Sequence, residues 1–150
     1  MIYRKATEKD IDQVIELRIE LLLEENRTIP CDINKELKEY FLDEMDKNLL
    51  VMVAEENSEI VATSSIIIQK YPPSFSNKEG YKAYVANVYT MPKYRMQGIS
   101  KKLLDELIKD LKERNISYIW LWSTDDAKEM YEKYGFKDLS AFKTMDYNIK

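Results

Sequence analysis

The sequence predicts one mixed α/β domain over residues 1–150, with elements in the order β-α-α-β-β-β-α-β-α-β. Three observations lead there. Apolar or β-branched runs such as "LLVMVA" (49–54) and "IVATSSIIIQ" (60–69) are too short for helices and are bounded by polar turns. Other stretches, such as Leu103, Leu104, Leu107, Ile108 and Leu111, repeat at helical spacing. No internal repeat, low-complexity tract or second linker divides the chain, and its length suits one sizeable core.

Each element has a local reason. "IYRKA" reads as the first strand, and Thr7, with Asp10 three residues on, comes close to a capping box. Ile11, Val14, Ile15 and Leu22, with Leu17 and Leu21 beside them, give a helix to about Glu25. "NRTIPCDIN" breaks it, and Leu37, Tyr40, Phe41 and Met45 mark a second helix ending near Asn48. "LLVMVA", the turn "EENSE" and "IVATSSIIIQ" then form a hairpin. The loop "KYPPSFSNKEG" leads to the strand "YKAYVANVYT", and the following helix is closed by Asn115. "ISYIWLW" reads as a buried strand. "DDAKEMYEKYGF" is a short helix with Gly135 as its left-handed cap and Phe136 as the accompanying apolar contact. "FKTMDYNI" alternates as a final strand.

Composition removes several classes of function. A net charge of −4 argues against an electrostatic footprint for nucleic acid or an anionic membrane, which would need a basic face. Cys31 is the only cysteine, so no internal disulfide can form, and a reducing, cytoplasmic setting is expected. No apolar run reaches membrane-spanning length, and "MIYRKATEKD" has no signal-peptide core. With no histidine at all, Ser-His and Cys-His catalysis and histidine-rich metal sites are excluded, and no metal is expected.

The chemistry concentrates at "MPKYRMQGIS", where a strand hands over to a helix. A helix start offers unsatisfied N–H groups and the positive end of a dipole, a combination suited to phosphate. Lys93 and Arg95 add charge, Gly98 has no side chain to hold a ligand off, and Ser100 is small. A tight turn with solvated cations is the alternative, and spacing alone leaves both readings open. Neither G-x-G-x-x-G nor G-x-x-x-x-G-K-[ST] is present, which disfavours Rossmann dinucleotide binding and P-loop phosphoryl transfer.

"TMPKYRMQGISKKLLDEL" resembles the acetyl-CoA-binding motif of the GNAT superfamily, V-x-P-x-x-R/Q-x-x-G-x-G/A, with Thr90, Pro92, Arg95, Gly98 and Ser100 at its positions. "AKEMYEKYGF" is similar to the family's A-x-x-L-Y-E-K-x-G-F helix, and "YRKATEKDIDQVIELR" to its opening strand and helix. Thr90 replaces the usual valine, Ser100 the final glycine or alanine, and Thr124 an asparagine that in many members contacts the pantetheine arm. The resemblance implies a mostly antiparallel central sheet flanked by about four helices and an N-acetyltransferase that uses acetyl-CoA. It implies that the amides of Arg95, Met96, Gln97, Gly98, Ile99, Ser100 and Lys101 receive the pyrophosphate. Val88, Tyr89 and Thr90 would pair with the pantetheine like an added strand, splayed from a neighbouring wall formed by "ISYIWLW". An amide of that strand would polarise the thioester carbonyl.

By residue type alone, Tyr131 and Tyr134 read as amphipathic core residues. The motif implies that Tyr131 is instead the general acid to the departing thiolate, whereas Tyr134 keeps the packing role. The implied acceptor is a small-molecule or peptide primary amine attacking directly, and "YKAYVANVYT" supplies no acidic general base. Arg18, Arg27 and the "YPPSF" loop could face the acceptor, but each reads first as a solvated or packing residue. Cys31 has no feature of a nucleophile. The alternative function is a non-catalytic CoA-binding regulatory module, and behind it a generic nucleotide binder. A homodimer is the common outcome for a small enzyme.

Overall fold

The computed structural model describes residues 1–25, 28 and 31–149; Asn26, Arg27, Ile29 and Pro30, in the break between the first two helices, lie outside them. The strands are β1 (Ile2–Lys5), β2 (Leu49–Glu56), β3 (Glu59–Lys70), β4 (Tyr81–Thr90) and β5 (Ile119–Trp120). The helices are α1 (Ile11–Glu24), α2 (Asn34–Glu44), α3 (Ile99–Glu113) and α4 (Asp125–Tyr134). Short 3₁₀ turns at Glu8–Asp10 and Pro92–Tyr94 lead toward α1 and α3. The five strands form one sheet in chain order, antiparallel throughout except for the parallel β4–β5 pair.

Both faces of the sheet are covered. Leu50, Met52 and Ala54 of β2 turn toward α3, whose Leu103, Leu104, Leu107 and Leu111 share their core. Leu49, Val51 and Val53 turn the other way, toward Ile11, Val14, Ile15 and Leu17 of α1 and Phe41 of α2. This is why "LLVMVA" is apolar without interruption: side chains alternate across a strand, and here each face has a helix to meet.

The first strand and helix are joined through one guanidinium. Arg4 donates to both oxygens of Asp10 at 2.8 and 2.9 Å and to Glu55 Oε2 at 2.6 and 2.8 Å, tying β1 to β2 and to the entry of α1. The Thr7 N–H donates to Asp10 Oδ2 at 2.7 Å, so the acidic residue three positions after Thr7 does cap this helix start.

The fourth strand is irregular along both of its edges. Thr63 pairs with Tyr89 and Ser65 with Ala86, so Asn87 and Val88 together oppose Ser64 in a β-bulge, with Asn87 at φ 54°. On its other edge β4 pairs with β5 only at Ala83 and Tyr84. At its end, Thr90 Oγ1 lies 3.1 Å from Ser100 Oγ, which hydrogen-bonds the strand to the first turn of α3.

Two expectations are corrected. The buried strand over "ISYIWLW" is reduced to Ile119–Trp120 and is only half-buried, because β5 is the edge of the sheet. The final strand over 142–149 is absent. Its apolar residues skip from Phe142 to Met145, which breaks a period of two, and they lie exposed with no ladder partner. No helix among the described residues is long and apolar enough to cross a membrane.

The Arg4 guanidinium, aided by the Thr7 N–H and opposed by burial, holds the Asp10 carboxyl well below the usual carboxylate range. A depressed folded-state pKa stabilises above the unfolded value of about 3.9 and loses that contribution as pH falls below it. Asp10→Asn should therefore cost about 1–3 kcal/mol at neutral pH. Its further loss of stability between about pH 4 and pH 2 should be smaller than wild type, as read by denaturant unfolding across that range. For the Thr90–Ser100 pair, Thr90→Val and Ser100→Ala should each cost about 1 kcal/mol and the double variant no more than either. Additive losses in that double-mutant cycle would show that the hydroxyls do not interact.

Candidate active site

The chain leaves β4 through the Pro92–Tyr94 turn, where proline supplies a preset φ and no N–H is lost to a ladder. The N–H groups of Tyr94 and Arg95 donate back to Met91 O and Pro92 O at 2.8 and 3.2 Å. Met96 (φ 61°) and Gly98 (φ 75°) are both left-handed, and α3 begins immediately after. The first helical bond runs from Lys102 N–H to Gly98 O, leaving the N–H groups of Ile99, Ser100 and Lys101 without a partner inside the helix. No side chain caps this end. A Cβ built on Gly98 would meet nothing within 4 Å, so the space in front of these amides is open.

The cations expected beside a phosphate are otherwise engaged. Arg95 Nε donates to Thr90 O at 2.8 Å, its NH2 group reaches both oxygens of Glu24 at 2.7 and 2.9 Å, and its guanidinium lies over the Tyr89 ring. Lys93 is 3.9 Å from Glu59, and Lys101 is 3.2 Å from Asp105. Arg95 thus ties the loop to β4 and α1, while any anion at α3 would be met by backbone N–H groups and the helix dipole. The Gln97 side chain turns back to Lys93 O at 3.3 Å, and the Met96 side chain is fully exposed.

Beside this helix start runs the outer edge of β4. Among the described residues, that edge has no ladder partner from Val85 to Thr90, because the pairing with β5 stops at Tyr84. Val88 packs on the α3 side of the sheet; Tyr89 is buried on the α1 side, its hydroxyl donating to Glu24 at 3.2 Å. An extended ligand could add to that edge as a strand does.

Tyr131 is buried in the same core as Ile99 and Leu103. Its carbonyl accepts the N–H of Phe136 at 3.0 Å while Gly135 N–H reaches Glu132 O at 3.0 Å, the two bonds of a Schellman cap. Gly135 at φ 120° permits this turn, and the Phe136 ring meets Tyr131 edge-on at 5.6 Å, the contact expected from sequence. Burial raises the Tyr131 hydroxyl above the ordinary tyrosine pKa, so it is held as a neutral phenol. Tyr134 instead donates to Asp105 at 2.7 Å and is pushed up to about 12 by burial and that bond, a structural link between α4 and α3. Thr124 caps α4, its carbonyl accepting the N–H groups of Ala127 and Lys128 at 3.1 Å.

Sequence reasoning missed Asn87. Both polar atoms of its side chain are buried with no partner among the described residues, and Ser65 Oγ on the facing strand shares that condition. The available signal was an asparagine, tolerant of left-handed backbone, inside an otherwise apolar strand. It also missed Glu24, which no local pattern links to residues far along the chain.

The profile of the acetyltransferase (GNAT) domain matches residues 2–138. A Clostridium acetobutylicum protein, described as a predicted acetyltransferase and crystallised with acetyl-CoA, is 38% identical with a TM-score of 0.89, over 97% of this chain and 95% of that one. A [ribosomal protein bS18]-alanine N-acetyltransferase of Haemophilus influenzae is 35% identical over 60 residues, 39% of this chain and 41% of the relative. A probable acetyltransferase of Glycine max is 32% identical over 97 residues, 56% of this chain and 39% of the relative. The chain thus spans under half the length of these curated relatives. The family match over residues 2–138, together with the similarity to the Clostridium acetobutylicum structure, leads to one conclusion: this chain belongs to the GNAT acetyltransferase family.

Proposed function

We propose that this chain, acting as one domain, transfers the acetyl group of acetyl-CoA to a primary amine by direct attack. The observation that carries the reading is the uncapped start of α3 behind Gly98, open in front and contiguous with the unpaired edge of β4. These features fit the two chemically distinct parts of the donor. The pyrophosphate would sit on the amides between Arg95 and Lys101, and the pantetheine would lie along Val88, Tyr89 and Thr90. Thr124, with its carbonyl engaged in capping α4, has its side chain left for the pantetheine arm.

In the reaction, the amine nitrogen bonds to the thioester carbon, the C–S bond breaks, and the proton lost by nitrogen replaces the one given to sulfur. A β4 amide N–H would hold the developing oxyanion. Tyr131 would protonate the departing thiolate; its burial keeps the hydroxyl protonated at neutral pH, and its ring is fixed against Phe136. The relative named for acetylating an alanine of ribosomal protein bS18 supports an amine as acceptor. The free, exposed Cys31 supports a reducing, cytoplasmic setting.

Titration calorimetry of acetyl-CoA should show binding to wild type and loss of at least about tenfold in affinity for Gly98→Glu, which projects a carboxylate into the open space before the amides. Undiminished binding to that variant would remove the pyrophosphate from α3. Tyr131→Phe, which keeps the ring packing, should lower kcat by about 10²-fold with acetyl-CoA affinity little changed. Because the hydroxyl pKa lies above its ordinary value of about 10, the wild-type rate should not decline below that pH through loss of the Tyr131 proton. Acetyl-CoA binding without amine-dependent thiol release would favour the regulatory module instead.

A further inference from the structure

The β4–β5 ladder ends in an aromatic cluster. Ile119 and Leu121 pack toward α3, as do Ala83 and Val85 of β4, so strand alternation turns Tyr84 and Trp120 to the α1 face, and the Trp122 ring, just beyond β5, lies against Trp120. Tyr84 and Trp120, the last residues paired between the strands, have ring centroids 4.5 Å apart. Trp122 stands edge-on to Trp120 at 5.7 Å and 81° and is 62% exposed. Arg18 of α1 and Glu25 just after it act electrostatically on the Tyr84 hydroxyl, which places the end of that helix on the same side of the sheet.

These rings differ from most others in the chain. Seven of the eleven tyrosines carry a lysine or arginine of the chain over the ring: Tyr3, Tyr71, Tyr81, Tyr89, Tyr94, Tyr118 and Tyr134. Arg18 acts on the Tyr84 hydroxyl, but among the described residues no lysine or arginine lies over the faces of Tyr84, Trp120 or Trp122, although tryptophan is the strongest cation-binding ring. Their position adds a direction. If the pyrophosphate sits at α3 and the pantetheine lies along β4 from Thr90 to Val88, the acetyl end points along the open edge toward the place where the two strands meet, at Tyr84 and Trp120.

We propose that Tyr84, Trp120 and Trp122 bind the acceptor as an organic ammonium with an apolar body, the cation held over the aromatic faces beside the end of the β4–β5 ladder. This rests on the acetyl-transfer reading and specifies its acceptor: an alkyl- or arylalkylamine, in preference to an anionic or polyhydroxylated amine, bound as the ammonium and releasing one proton to water before the free amine attacks. The rings supply both attractions. Their quadrupoles favour the ammonium, and their area favours the apolar chain.

The chain contains only two tryptophans, Trp120 and Trp122, so its intrinsic tryptophan fluorescence reports on this cluster alone. The test is a fluorescence titration of the CoA-saturated protein with phenethylammonium and with neutral N-acetylphenethylamine; without acetyl-CoA neither turns over. A saturable change is expected, with the neutral compound binding about fivefold or more weakly. Trp122→Ala, at an exposed position and with Trp120 left as reporter, should weaken phenethylammonium by about tenfold. The inference is overturned by an absence of saturable change in wild type, by equal affinity for the neutral compound, or by undiminished binding to Trp122→Ala. Acetyl-CoA calorimetry separates the two levels. Acetyl-CoA binding without an ammonium response sinks only the acceptor class, whereas an ammonium response without acetyl-CoA binding sinks the transfer reading and the acceptor role with it.

Discussion

The rest of the site depends on β4 losing its outer partner after Tyr84. A strand inside a sheet normally has both edges satisfied, and an open stretch leaves backbone donors and acceptors that water or a ligand must meet. Here the opening is held in place from three sides. The inner edge is fixed to β3 and bulged at Asn87, the far end is bonded to α3 through Thr90 and Ser100, and the near end is closed by the Tyr84–Trp120 contact. A rigid frame around an unpaired edge is a preorganised slot. An extended ligand entering it would replace missing ladder bonds without requiring the sheet to reorganise.

The same frame explains why the loop before α3 keeps its shape without filling its own anion site. Arg95 holds the loop by bonding Thr90 O and Glu24, on the α1 side of the sheet. Its charge thus stabilises a conformation, and the amides after Gly98 remain for an incoming anion. The two departures from the usual motif, Thr90 and Ser100, are each other's hydrogen-bond partners. An isolated hydroxyl at either position would need another partner, but as a pair they add a polar link between strand and helix while staying small enough for close backbone approach.

Much of this was legible in the sequence where one local rule was enough. The helical period of Leu103, Leu104, Leu107 and Leu111, the unbroken apolar run of β2 and the Gly135–Phe136 cap depend on neighbours within a turn or on simple alternation, and each has its predicted form. The partial alternation over 145–149 was a false guide, because a strand also needs a partner that no local pattern supplies. The Asn87 bulge, the Glu24–Arg95 pair and the early end of the β4–β5 ladder are relations between distant segments. The sequence contains their residues but not their juxtaposition, so the motif located the helix start while the geometry of the adjoining edge stayed hidden.

Tyr131 shows why a structural and a chemical assignment need not compete. Its carbonyl completes the cap of α4 and its ring packs with Phe136, so the side chain has little freedom to move. Burial alone shifts its hydroxyl, in contrast to Tyr134, whose hydroxyl is also bonded to Asp105. A phenol committed to a carboxylate is poorly placed to donate elsewhere, whereas one raised only by burial keeps its proton for a stronger base when one forms nearby. A thiolate departing beside the β4 edge would be such a base, and Val85 and Val88 of β4 share the α3-side core with Tyr131. The packing that first identifies Tyr131 as a core residue is therefore what would orient it as an acid, and Tyr134, three residues on, lacks that condition.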